Sequence, residues 1–270
     1  MNITFIGGGN MATALIGGML QQGFNAKSLS VIEPSQEKRA ELANRFGVRS
    51  QASLSTGLPS SDVVLIAVKP QSMKEVAGEL AGQLKHQLVI SIAAGIRIDT
   101  LVSWLNGYQH IVRVMPNTPA MVQAGISGLF AASGVGHNAR DQAEQIMRAV
   151  GQVVWVDAEQ KMDAITAMSG SGPAYVFYFM EAMMAAGKAL GFSDTDARKL
   201  TYATFEGAVK LAMDSADDAA TLRAKVTSKG GTTEAALNSM EASGVKESIG
   251  AGIAAASYRG QELGDALSKQ

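Results

Sequence analysis

The chain has 270 residues, no cysteine, 23 basic against 24 acidic side chains and a formal net charge of −1. That length buries a large core in one or two domains, the balanced charge without basic runs or aromatic–basic interleaving argues against a nucleic-acid partner, and the lack of cysteine excludes disulfides, thiolate zinc sites and a cysteine nucleophile. No run approaches the ~18 uncharged apolar residues of a membrane span, and Ile3 to Ile6 is too short and too poorly flanked for a signal peptide, so a cytoplasmic protein with no membrane partner is expected.

In chain order, Asn2 to Ile6 is a short apolar strand ending in Gly7, Gly8 and Gly9, followed by a helical pattern from Asn10 to Gln22. Leu29 to Ile32 reads as a strand, and Gln36 to Phe46 as an amphipathic helix closed by Gly47. Asp62 to Val68 and Leu88 to Ile92 are continuous apolar runs of the kind found in buried parallel strands. Helices are predicted over Ser72 to Leu84, Thr100 to Leu105 and Asn138 to Ala149, and strands over Ile111 to Met115, Ser127 to Ala131 and Val153 to Val156. This alternation predicts an α/β fold with a doubly wound, Rossmann-type parallel sheet over residues 1–158. Beyond it the pattern turns helical: Pro173 to Leu190, Ser193 to Met213 with Ser193 as N-cap, Ala219 to Val226, Thr233 to Ala242 and Val245 to Leu267. Residues 159–270 therefore read as an all-helical domain. Phe177, Phe179, Met180, Met183 and Met184 make its first long helix apolar on most faces, which predicts burial on more than one side and at least a dimer.

Gly7-Gly8-Gly9-Asn10-Met11-Ala12 fits G-x-G-x-x-A between a strand and a helix. Gly7 permits the tight turn, Gly9 lets a pyrophosphate approach the backbone, and Ala12 allows close helix–strand packing. The acidic residue expected roughly 20 positions on is Glu33, whose carboxylate suits the ribose hydroxyls of NAD and repels the 2′-phosphate of NADP; the bland alternative is a solvated glutamate at a strand end. Ser35 and the pair Lys38–Arg39 argue the other way, as groups able to meet a phosphate. Ala67-Val68-Lys69-Pro70 closes another strand, with Lys69 facing a phosphate or water. Ala93 and Ala94 are small enough to admit a nicotinamide ring. Asn117, in a rigid Met-Pro-Asn-Thr-Pro turn, either bonds the cofactor or holds the loop. NADPH or NADH is the expected cofactor. None of His86, His110 and His137 has a second ligand at metal spacing, so no metal site is expected.

A second anion-binding feature lies far downstream, in AKVTSKGGTTEAA from Ala224 to Ala236. A glycine pair leaves N–H groups bare, and the helix start adds unpaired donors and the positive end of its dipole. Together they suit a small anion such as a carboxylate. The bland alternative is an ordinary loop with Thr233 as helix N-cap.

FIGGGNMA, AVKP, SIAAG, MPNTP, then SGSGPAY from Ser169 to Tyr175 and finally TSKGGTTEAA occur in that order along nearly the whole chain. In this ordered set the chain resembles the pyrroline-5-carboxylate reductases. The resemblance implies an amino-terminal Rossmann domain and a helical dimerisation domain. It also implies hydride transfer from NADPH or NADH to the C=N carbon of 1-pyrroline-5-carboxylate, giving L-proline in the last step of proline biosynthesis. By the same resemblance Ser228, Gly230, Gly231, Thr232 and Thr233 hold the substrate carboxylate, and Thr233 is the catalytic contact, bonding the ring nitrogen. One departure is Lys229, where many members carry proline. An easily protonated imine needs no strong general acid, which agrees with the absence of any motif-embedded histidine or cysteine. Two rivals share the fold: a β-hydroxyacid dehydrogenase, whose catalytic lysine followed within four residues by asparagine has no counterpart here, and a non-enzymatic nucleotide sensor.

Overall fold

The computed structural model describes residues 1–269. Its sheet begins with β1 (Ile3–Ile6), α1 (Asn10–Gln21), β2 (Leu29–Ile32), α2 (Gln36–Phe46) and β3 (Arg49–Gln51). It continues with β4 (Val63–Ile66), α3 (Met73–Ala81), β5 (Leu88–Ser91), α4 (Ile98–Trp104), β6 (Ile111–Met115), β7 (Gly125–Ala131), α5 (His137–Arg148) and β8 (Gly151–Trp155). The strand order is β3-β2-β1-β4-β5-β6-β7-β8. All pairings are parallel except β6 with β7. Every residue of β1, β2, β4 and β5 is buried, which requires covering layers on both faces of the sheet. The core is accordingly aliphatic, with Ile3, Phe5, Leu15, Ile16, Leu65 and Ile66 among its fully enclosed side chains.

The edge strand β3 is not among the sequence expectations. Its residues, Arg49, Ser50 and Gln51, are polar and largely exposed, so no hydrophobic pattern marks them. They become a strand only because β2 offers a free edge, and the register Ser30–Arg49 to Ile32–Gln51 supplies the backbone bonds. The short α6 (Lys161–Ile165) and the π-helical turn Thr166–Gly170 were also not expected. Their hydroxyls bond back into the helix, Thr166 Oγ1 to the Met162 carbonyl at 2.8 Å and Ser169 Oγ to the Ile165 carbonyl at 3.0 Å.

By internal packing the chain divides into two compact units: Met1–Ser171 with Ala256 onward, and Gly172–Ala255. The second unit holds α7 (Gly172–Ala189), α8 (Asp194–Asp214), α9 (Ala219–Lys225), α10 (Thr232–Ala242) and the beginning of α11 (Val245–Ser268). Ser193 caps α8 as expected, its Oγ accepting from the Asp196 N–H at 3.1 Å. Within this unit α7 packs along α8. No residue of α7 is buried in the single chain, and Phe177 is 63% and Tyr178 72% exposed. The last turns of α11 belong to the first unit, where Leu267 packs against the core and Asp265 pairs with Arg97 at 2.7 Å.

Candidate active site

The chain leaves β1 towards β2 on one side and later returns to β4 on the other, so the carboxyl ends of β1 and β4 form the switch point of the sheet. Gly7–Gly9 lie there. Gly7 has φ +99°, donates its N–H to the Ile32 carbonyl at 2.8 Å, and would set a Cβ 2.9 Å from the Ala67 carbonyl oxygen. Only glycine fits that turn and that approach. Gly9 is the N-cap of α1, has no side-chain cap, and a Cβ there would meet nothing within 4 Å. Thr13 is the first residue of α1 to bond back, to the Gly9 carbonyl at 2.9 Å. The N–H groups of Asn10, Met11 and Ala12 therefore point out of the helix unpaired, a cradle suited to a phosphate. Ala12 itself is fully buried, where a larger side chain has no room.

Glu33 is not the solvated strand-end glutamate that the sequence left open. It is 8% exposed, its Oε2 accepts from the Gly8 N–H at 2.8 Å and its Oε1 from the Ser35 N–H at 3.0 Å. The carboxylate thus ties the glycine loop to the end of β2. Ser35 caps α2, its Oγ accepting from the Lys38 N–H at 3.4 Å. Arg39 does not swing free: its Nη1 donates to the carbonyls of Glu33 and Pro34, each at 2.7 Å. Lys38 lines a cleft of about 600 Å³ together with Gly8, Gly9, Asn10, Thr13 and Arg45.

At the end of β4, Ala67, Val68 and Pro70 are half-buried and Lys69 is exposed. After β5, Ala93 is buried, its N–H donating to Ser91 Oγ at 3.4 Å, while Ala94 is exposed. Asn117 is buried, and its Oδ1 accepts from the Ile126 N–H at 3.0 Å. Of its two expected roles, holding the loop is the one this bond performs.

A buried ionic cluster escaped the sequence reading. Arg113 on β6 is 3% exposed, reaches Glu159 Oε1 at 2.9 Å with Nη1, and lies 3.6 Å from Asp163 Oδ1 with Nη2. Glu159 Oε1 also accepts from the Ile98 N–H at 2.7 Å, so it fixes the start of α4 and the loop carrying Ala93 and Ala94. The signal was a lone arginine in the apolar run Ile-Val-Arg-Val-Met, because a charge in such a strand needs a partner.

In the second unit, Ser228, Gly230, Gly231, Thr232 and Thr233 lead into α10. The N-cap is Gly231, with no side-chain cap, which corrects the alternative of a Thr233 cap. Thr233 lies two positions past the cap, as the second residue of the helix, because the chain enters helical geometry at Thr232. Two glycine donors are spent inside the loop, Gly231 N–H on the Ser228 carbonyl at 3.0 Å and Gly230 N–H on Glu234 Oε2 at 2.7 Å. The first helical N–H to bond back is that of Ala235, to the Gly231 carbonyl at 3.2 Å. The N–H groups of Thr232, Thr233 and Glu234 remain bare. Among the described residues no hydrogen bond reaches the hydroxyls of Thr232 or Thr233.

A sheet of this order with a glycine loop at its switch point defines a dinucleotide-binding protein. Residues 2–95 match the family model described as NADP oxidoreductase, coenzyme F420-dependent, and residues 159–263 match that described as pyrroline-5-carboxylate reductase dimerisation. The chain is 45% identical over 266 residues to a pyrroline-5-carboxylate reductase of Pseudomonas aeruginosa, covering 98% of this chain and 97% of the relative. It is 43% identical to one of Haemophilus influenzae, with 97% of each chain covered. A solved pyrroline-5-carboxylate reductase from Coxiella burnetii superposes with a TM-score of 0.92 at 41% identity, over 97% of this chain and 98% of that one. The Plasmodium falciparum pyrroline carboxylate reductase, solved with NADP bound, gives 0.87 at 27% identity, with 98% of each chain covered. The chain belongs to the pyrroline-5-carboxylate reductase family. Membership decides against the β-hydroxyacid dehydrogenase reading. Among the described residues no helix is long and apolar enough to cross a membrane.

Proposed function

We propose that this chain reduces 1-pyrroline-5-carboxylate to L-proline with NADPH or NADH. Residues 1–158 hold the cofactor: the bare N–H groups of Asn10, Met11 and Ala12 take the pyrophosphate, Glu33 faces the ribose, and the small Ala93 and Ala94 leave room for the nicotinamide. Residues 159–270 hold the substrate and associate with a second copy through the exposed apolar surface of the helices, a homodimer or a multiple of one. The observation that carries the reading is the unpartnered Thr233 hydroxyl at the head of α10, beside N–H donors with no acceptor, in a chain of this family. Those donors suit a substrate carboxylate, and the hydroxyl suits a ring nitrogen.

The reduced nicotinamide, when bound, supplies the hydride, which adds to the C=N carbon while the ring nitrogen ends protonated. Since the imine is readily protonated before hydride arrives, the protein's task is to orient and to stabilise charge. The Thr232 and Thr233 N–H groups fix the carboxylate, and Thr233 Oγ1 fixes the nitrogen.

The direct test is oxidation of NADH or NADPH that depends on pyrroline-5-carboxylate and yields L-proline. A folded protein that binds both cofactors yet turns over neither with this substrate would remove the proposal and favour the nucleotide-sensor alternative. Thr233→Ala should lower kcat/KM by more than Thr232→Ala does. The loss of a hydrogen bond to a charged group is worth about 1.5–3 kcal/mol, roughly a ten- to 150-fold effect. Because Gly231 is the N-cap, this substitution leaves the cap intact, and circular dichroism should show unchanged helix content. Wild-type kinetics in Thr233→Ala would take the residue out of the mechanism.

A further inference from the structure

The substrate loop carries a carboxylate of its own. Glu234 is the third residue of α10, half-buried, and its side chain turns back so that Oε2 accepts from the Gly230 N–H at 2.7 Å. Gly230 has φ +70°, a left-handed turn that reverses the chain just before the helix. The bond runs from the helix to the residue before its N-cap, so it ties the incoming chain to the first turn in the manner of a capping box shifted by one position. Its consequence is selective. It uses the Gly230 donor, while the adjacent turn uses that of Gly231, and it leaves the Thr232, Thr233 and Glu234 N–H groups as the open set.

We infer that Glu234 is a positioning residue for the substrate carboxylate. By holding Gly230 in its left-handed turn it keeps the loop from folding over the head of α10, and so keeps the Thr232 and Thr233 donors in place for the ligand. This rests on the proposed reaction and refines its donor set: Gly230 and Gly231 act through backbone shape, whereas Thr232 and Thr233 make the contact. A carboxylate at this position has a second effect, since it repels an incoming anion. Lys229, exposed and adjacent to Gly230, adds a positive charge to the same loop.

The test compares Glu234→Ala with Glu234→Gln, since the amide oxygen of glutamine still accepts from Gly230 and carries no charge. Glu234→Ala should raise KM for pyrroline-5-carboxylate about tenfold, the equivalent of one lost charge-assisted hydrogen bond, with kcat and the cofactor KM nearly unchanged. The dissociation constant of L-proline for the enzyme saturated with oxidised cofactor should rise in parallel. Glu234→Gln should restore both to wild-type values or better. An unchanged or lower substrate KM in Glu234→Ala would overturn the inference, the second because it makes the carboxylate a competitor of the substrate. Equal impairment of the two variants would overturn it too, because the acceptor would then not be what matters. A wild type inert towards pyrroline-5-carboxylate would instead sink the proposed reaction, while the L-proline titration, which needs no turnover, still reads the effect of Glu234.

Discussion

Arg113→Met is expected to lower the free energy of unfolding by about 3–5 kcal/mol. The guanidinium is enclosed on β6 and meets two carboxylates, Glu159 at 2.9 Å and Asp163 at 3.6 Å, whose side chains are 19% and 10% exposed. Methionine fills similar space but leaves both carboxylates without their cation in a site where water replaces it poorly. Breaking such a pair costs more than the pair contributes relative to an apolar set, because the remaining charge stays buried. The triple variant Arg113→Met, Glu159→Gln, Asp163→Asn should therefore be more stable than Arg113→Met alone. Urea denaturation reads both, and a loss under about 1 kcal/mol in the single variant would show the cluster to be solvated or replaceable. Glu159 also receives the Ile98 N–H, so the single variant should loosen the loop with Ala93 and Ala94 and lower kcat as well.

Glu33→Ser should lower kcat/KM for NADH roughly 10- to 100-fold and for NADPH by clearly less, shifting preference towards NADPH. Two opposed terms set that outcome. The carboxylate holds the glycine loop through the Gly8 and Ser35 N–H groups, and serine is too short to reach Gly8, so both cofactors lose an ordered cradle. Each carboxylate oxygen keeps a further lone pair for a ribose hydroxyl, and charge-assisted bonds of that kind are strong. A 2′-phosphate gains nothing from Glu33 and is repelled by it, so its removal partly compensates NADPH. Arg39 is already anchored on the carbonyls of Glu33 and Pro34, at the same turn, where its remaining donors can meet a phosphate. The check is the ratio of the two efficiencies in wild type and variant. A ratio that does not move would place Glu33 in loop support alone.

Where the chain is apolar and periodic, local pattern and structure coincide closely. The limits of β2, Leu29–Ile32, of α2, Gln36–Phe46, and of β6, Ile111–Met115, agree to the residue: the two strands are short apolar runs, and the polar helix is closed by the capping Ser35 at one end and Gly47 at the other. The glycine fingerprint was legible from residue size: Gly7 and Ala12 are small because backbone or helix passes close by, while Gly9 borders open space, where a Cβ would meet nothing within 4 Å. What stayed hidden were elements with no pattern of their own, such as Arg49–Gln51, which is a strand only beside β2.

Residue type and spacing along the chain were enough to specify the class of fold, the family and the two loops in which anions are expected. Tertiary structure decided which polar groups are free. Glu33, Asn117, Gly230 and Gly231 read as candidate ligand contacts, yet in the folded chain they hold Gly8, Ile126, Glu234 and Ser228 respectively, while Thr232 and Thr233 keep open donors. The same holds for Arg113, whose partners lie 46 and 50 positions away in the chain (113 to 159 and 163). A hydrogen bond is satisfied or left open by what lies within about 3 Å in space, and for groups so far apart in sequence only the completed fold sets that neighbourhood.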